Sequence, residues 1–164
     1  MAELVNEMFD PAVTFADIEW LRSAWPGPLL VKGIQTVADA RAAADHGADA
    51  VVVSTHGGRQ LDRAAAPLEV LPAIADAVGD RAEVLLDTGI MHGGDVVAAL
   101  ARGARACLVG RAYLYGLMAG GERGVQRAIA ILAGEVTRTL QLLGVASIRE
   151  LNRSHASLRP PGAS

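Results

Sequence analysis

The segment Gly47-Ala48-Asp49-Ala50-Val51-Val52-Val53-Ser54 returns 56 residues later as Gly103-Ala104-Arg105-Ala106-Cys107-Leu108-Val109-Gly110, and Asp39 returns at the same offset as Asp95. Each copy is a glycine stop, an apolar run and then a polar or glycine residue. Such a repeat is the trace of two tandem βαβα units, which restricts the chain to alternating strands and helices. The spacing predicts strands over 29–34, 50–54, 84–87 and 106–110. Helices are predicted from a Thr14 cap to Ala24, from a Thr36 cap to Asp45, and over 68–78, 93–102, 113–117 and 125–143. The strands are apolar on both faces, as parallel strands covered by helices must be.

The expected fold class is therefore α/β with parallel strands. Four strand–helix units make the last four units, half, of a (β/α)8 TIM barrel, which closes with eight strands over about 250 residues. With 164 residues, 51% apolar but only 4% aromatic, the chain has enough Ala, Val and Leu for one core. We expect a single domain over 1–164. It comprises an N-terminal helix and linker (1–27), four β/α units (28–122), a C-terminal helix (123–151) and a flexible tail (152–164). A half-barrel leaves two open parallel edges and an uncovered apolar face. The chain is then a fragment, pairs with another half, or forms an open sheet of its own.

The net charge of −3 gives no electrostatic case for nucleic acid or an anionic membrane. There is no apolar run of about 18 residues to span a bilayer. The start, Met1-Ala2-Glu3-Leu4-Val5-Asn6-Glu7, has no basic and apolar leader, so the expected setting is cytoplasmic. The one cysteine, Cys107, reads as a small core residue.

In parallel α/β folds chemistry collects at the C-terminal strand ends. Here those ends carry Lys32-Gly33, then Ser54 with His56 and Arg59, then Asp87-Thr88-Gly89, then Gly110-Arg111. An imidazole and a guanidinium flank Gly57-Gly58, a proton acceptor beside a carboxylate clamp. Gly89, Gly93, Gly94 and Gly110-Arg111 precede helices, where free N–H groups favour an anion such as phosphate. Plainer readings stand beside these. Lys32 can be solvated or can stabilise negative charge on a cofactor; Asp87 can cap a turn; Arg111 can pair with a helix carboxylate; His56 can be a loop histidine. His46 and His155 read as structural, His92 is open, and Trp20, Trp25, Tyr113 and Tyr115 read as packing or interface residues.

At these residues the chain resembles the FMN-dependent α-hydroxy acid dehydrogenase/oxidase family, most closely the cytochrome-linked L-lactate dehydrogenases. The resemblance rests on Leu30-Val31-Lys32-Gly33, Ser54-Thr55-His56-Gly57-Gly58-Arg59-Gln60-Leu61-Asp62, Asp87-Thr88-Gly89 and Val109-Gly110-Arg111, and runs from about Phe9 to the tail. It implies FMN as cofactor and an L-2-hydroxy acid, L-lactate first, as the small-molecule substrate. His56 then resembles the catalytic base and Arg59 the substrate-carboxylate clamp. Lys32 resembles the lysine beside flavin N1 and the C2 carbonyl, and Ser54 a ring contact. Asp87, Thr88 and Gly89 resemble the ribityl and phosphate strand end, with Met91 on the same rim. Gly110 and Arg111 resemble the second phosphate grip.

Three positions depart from the family pattern. Thr55 replaces the usual asparagine, Thr88 a frequent glycine, and Met91 a frequent phosphate-binding arginine, so Arg111, with His92, must carry more of the phosphate charge. The family's first four strands are missing. The expectation is a chain inactive alone that pairs with a missing N-terminal half-barrel or a second copy, within a homo-oligomer. Neither a metal, a membrane span nor a nucleic-acid partner is expected. The alternative is a non-catalytic phosphate-binding or assembly half-barrel; a sugar-phosphate isomerase barrel leaves His56 and Arg59 unexplained.

Overall fold

A computed structural model describes Asp10 and residues 12–158; Phe9 and the end of the tail, 159–164, lie outside the described residues. The elements are α1 (Ala16–Ala24), β1 (Leu30–Ile34), α2 (Val37–Asp45), β2 (Ala50–Val53), α3 (Pro67–Val78), β3 (Glu83–Leu86), α4 (Gly93–Ala101), β4 (Ala106–Cys107) and α5 (Arg111–Leu143), with short 3-10 turns at His56–Gly58, Ile148–Glu150 and Arg153–His155. The strands form one parallel sheet in the order β1-β2-β3-β4. Sequential parallel neighbours joined by helices are the expected βαβα units. The final strand is shorter than its apolar run, although Leu108 N–H still donates to Leu86 O at 2.9 Å.

Local chemistry explains the boundaries. Thr36 Oγ1 accepts from Asp39 N–H at 3.0 Å and starts α2. Gly47, at φ +97°, ends that turn in a conformation other residues resist. At α1 the roles are reversed: the Asp17 carboxylate accepts from both Thr14 N–H and Thr14 Oγ1. The register of β1 slips between Lys32 and Ile34, with Gly33 at φ +101° in the gap. That bulge lies beside the functional end of an edge strand, a common place for one.

One sheet face is covered. Val51, Val53, Val84 and Leu86 pack with Ala40 and Ala43 of α2 and with Leu71, Ile74 and Val78 of α3, all buried. The α3 spacing puts one apolar stripe on the sheet. The other face carries the paired row Lys32, Val52, Leu85 and Ala106. Val52 is buried there, but Leu85 is half-buried and Lys32 and Ala106 are exposed. Leu30 on the same side is 48% exposed. The uncovered face expected of a half-barrel is thus present.

The two helices expected over 113–117 and 125–143 extend toward each other into one element, broken only where Gly120 and Gly121 leave helical geometry. The two arms touch at Gly116 and Gly124, where a Cβ on either would strike the other's backbone. Gly93 lies against Leu132, Glu135 and Val136 in the same way, fixing α4 to α5. The tail, expected to fray from Asn152, is tied down at Arg153 and Ala156. Arg153 clamps Asp76 at 2.5 and 3.0 Å, and Arg102 Nη1 donates to Ala156 O at 3.3 Å. Cys107 packs against the core, and burial, helped by nearby Asp95, pushes its thiol up to about 11. Among the described residues no helix is long and apolar enough to cross a membrane.

Candidate functional site

The C-terminal ends of β2, β3 and β4 surround a cleft of about 200 Å³ lined by His56, Arg59, Asp87, Thr88, Gly89, Met91, Gly110 and Arg111. Gly57, Ile90, Leu108 and Leu114 complete the wall. The His56 imidazole and Arg59 guanidinium of one strand-end loop therefore share a hollow with the Arg111 guanidinium of another. Arg59 and Arg111 have no carboxylate within ion-pair distance among the described residues. His56 is exposed, with Nδ1 3.4 Å from the Gln60 amide nitrogen. That contact makes the two ring nitrogens inequivalent and leaves Nε2 uncommitted.

Lys32 and Ser54 are not in the cleft wall; they connect to it through Asp87 and the His56 turn. Lys32 Nζ is 2.8 Å from Asp87 Oδ2 and donates to Ser54 Oγ at 3.1 Å. Ser54 is fully buried, and its Oγ also accepts from His56 N–H at 3.0 Å. Burial pushes the Asp87 carboxyl upward. Hydrogen bonds from Lys32, Ser54 and Thr88, with the Lys32 charge, outweigh that and hold it below the ordinary carboxylate range. Asp87 is thus an anion that fixes a lysine, more than the turn cap of its plainer reading.

Backbone geometry at the rim is unusual. His56 and Thr88 stand at φ +54° and +74°, left-handed values that non-glycine residues avoid. Both belong to loops that leave buried strands, where surrounding hydrogen bonds can enforce strain.

The α4 start is not the open anion site that Gly93 and Gly94 suggest. Asp95 Oδ2 accepts from Met91 and His92 N–H at 2.9 and 2.8 Å, and Glu135 Oε2 accepts from Gly93 N–H at 2.7 Å. The chain's own carboxylates close that end, and Gly93 serves packing. His92, undecided from sequence, lies 3.8 Å from Glu135. Glu135 escaped sequence reading because it is 42 residues away on another helix. The start of α5 has no side-chain cap, and open space lies where a Cβ would stand at Gly89 and Gly110. Anion-holding capacity therefore gathers at Gly89, Gly110 and Arg111, while Met91 adds apolar wall and no charge. His46 is structural, its Nδ1 2.7 Å from Ala42 O.

Comparison with known proteins bears on the family. The family profile described as FMN-dependent dehydrogenase matches residues 1–158. A Mycobacterium tuberculosis protein provisionally named an L-lactate dehydrogenase is 56% identical over 99% of this chain and 40% of its own length. The pre-mycofactocin synthase of the same organism is 50% identical over 88% of this chain and 37% of its own length. The crystal structure of a monotopic membrane protein, (S)-mandelate dehydrogenase, superposes with a TM-score of 0.89 at 43% identity, over 94% of this chain and 41% of that one. The chain thus spans about 40% of the curated relatives it matches. The residues present suit one side of an FMN. The Arg111 guanidinium and bare backbone at Gly89 and Gly110 can hold phosphate, leaving Arg59 without a carboxylate partner for a second anion. Ile90, Leu108 and Leu114 can flank an apolar portion.

Proposed function

The chain belongs to the FMN-dependent dehydrogenase family, and from that premise we propose that it is the base-bearing C-terminal half of an enzyme oxidising an L-2-hydroxy acid, with L-lactate to pyruvate as the first candidate. The observation that carries the reading is the shared cleft: His56, Arg59 and Arg111 line one hollow, and both guanidinium groups lack a carboxylate partner among the described residues. FMN, when bound, supplies the acceptor for the hydride equivalent of the substrate's C–H bond.

The chain's own residues supply the rest. Arg59 holds the substrate carboxylate in a two-point grip and fixes its orientation. His56 Nε2 takes the hydroxyl proton as the carbinol carbon is oxidised. Lys32, steadied by Asp87 and Ser54, offers positive charge where negative charge develops on the cofactor ring. Asp87 and Gly89 meet the ribityl side, and Gly110 and Arg111 take the phosphate. Ser54 acts through backbone and neighbours, since its hydroxyl is engaged.

This half leaves the sheet face around Lys32, Val52, Leu85 and Ala106 to be covered by the first four β/α units or by a second copy, within a cytoplasmic homo-oligomer. A catalytically silent assembly half-barrel is the second reading, favoured by the same uncovered row. Purified alone with FMN and L-lactate, the chain is expected not to bleach the flavin band. Adding the first four β/α units of the Mycobacterium tuberculosis relative is expected to restore bleaching. Persistent colour with L-lactate and (S)-mandelate after such complementation, or a colourless homodimer, would reject the enzymatic reading. Cell fractionation tests the compartment.

A further inference from the structure

Thr88 is a β-branched residue at φ +74°, where glycine would be unstrained. Its hydroxyl does not reach outward. It donates to Asp87 Oδ1 at 2.9 Å and accepts from Gly57 N–H at 3.1 Å, and Thr55 Oγ1 stands at the 3.5 Å limit. A hydroxyl has one donor and two acceptor positions, so these contacts use it up. We propose that Thr88 is a positioning residue: its hydroxyl latches the His56–Gly57 turn to the end of β3, and the strained backbone at residue 88 delivers that hydroxyl.

The latch accounts for the left-handed backbones at His56 and Thr88 together. His56 sits in a left-handed conformation, which needs restraint on both sides. Ser54 Oγ restrains it through His56 N–H, and Thr88 Oγ1 through the next N–H, that of Gly57. Ser54 is in turn held by Lys32, and Thr88 by Asp87, while Lys32 and Asp87 pair with each other. The turn bearing the imidazole is thus closed into one polar network drawn from three strand ends. The inference assigns Thr88 a duty other than direct cofactor contact. Its functional weight rests on the reading of His56 given above, but the latch itself does not.

The test compares Thr88→Ser, Thr88→Val and Thr88→Gly in the 164-residue chain. Serine keeps the hydroxyl, valine keeps the shape without it, and glycine removes both hydroxyl and strain. The Gly57 amide is expected to exchange with solvent about fivefold faster or more in the valine and glycine variants, and near the parent rate in serine. The glycine variant is expected to melt no lower than the parent and to shift the His56 ring resonances, a split between order at the turn and overall stability that a merely structural residue would not give. FMN binding by the parent chain, followed by flavin fluorescence, tests the functional reading separately. Unchanged Gly57 exchange in valine and glycine overturns the latch. If even the parent binds no FMN, the functional reading loses support, while the exchange rates still decide the latch.

Discussion

The two rims of the sheet are built by opposite rules from the same strands. At the N-terminal rim, cations meet carboxylates. Arg22 pairs with Asp49 at 2.8 Å and also donates to the Trp25 and Gly27 carbonyls; Asp49 accepts from Leu29 N–H at 2.7 Å; Arg81 pairs with Asp45 at 2.6 Å and Arg105 with Glu83 at 3.4 Å. At the C-terminal rim Lys32 pairs with Asp87 and exposed Arg63 lies 3.9 Å from its neighbour Asp62, but Arg59 and Arg111 have no carboxylate partner among the described residues, and three non-glycine residues, His56, Arg63 and Thr88, are held left-handed. The first rim tethers the linker that leads from α1 into the sheet. The second keeps free charge and strain, which a site needs and stability alone would remove.

The largest expected break in this contrast is at His56. In the completed enzyme, His56→Ala should lower turnover about 10²–10⁴-fold, the usual share of a general base. The melting temperature of the chain should barely move, because the imidazole is exposed and its ring makes only the long Gln60 contact. Stopped-flow flavin reduction beside a thermal melt checks both halves, and a large loss of stability would show that the C-terminal rim is structural after all.

A smaller effect of opposite kind belongs to the other rim. Asp49→Asn should lower the melting temperature by a few degrees, through the lost charge-assisted contacts, and leave FMN affinity unchanged. Weaker FMN binding in this variant would mean that the rims are coupled.

The smallest effect is in pH. Asp49 is held below its ordinary value first by the Leu29 N–H and then by Arg22. Asp87 is also held low, although burial opposes its partners. A depressed folded-state value means that each contributes stability above the ordinary carboxylate range and loses it as pH falls through the folded value. Melting temperature should therefore hold from neutral pH down to about pH 5 and decline on further acidification. Asp49→Asn and Asp87→Asn should each flatten part of that decline. A decline centred between pH 6 and 7 would point to histidine instead.

How much of this was legible in the sequence depends on distance along the chain. The four strands could be read because their apolar runs are bounded by glycine and polar residues, and the cleft because His56, Arg59, Asp87 and Arg111 all sit just past those runs. What could not be read are the pairings across loops. Lys32 meets Asp87 and Gly57 meets Thr88 only once the strands are in register, and no local pattern announces either. Glu135 closing α4, and Arg153 clamping Asp76, are set by how helices dock 42 and 77 residues apart. The gap expected between helices over 113–117 and 125–143 is instead a corner within one element, where Gly116 and Gly124 approach closely.

The protonated thiol of Cys107 makes the last strand self-reporting. With its acidity suppressed to about 11, almost no thiolate exists at physiological pH, so oxidants and maleimides find little to attack while β4 stays in place. Any reagent captured there would count the moments when the outermost ribbon peels from β3, and a partner seated on that border would silence the signal without touching the sulfur.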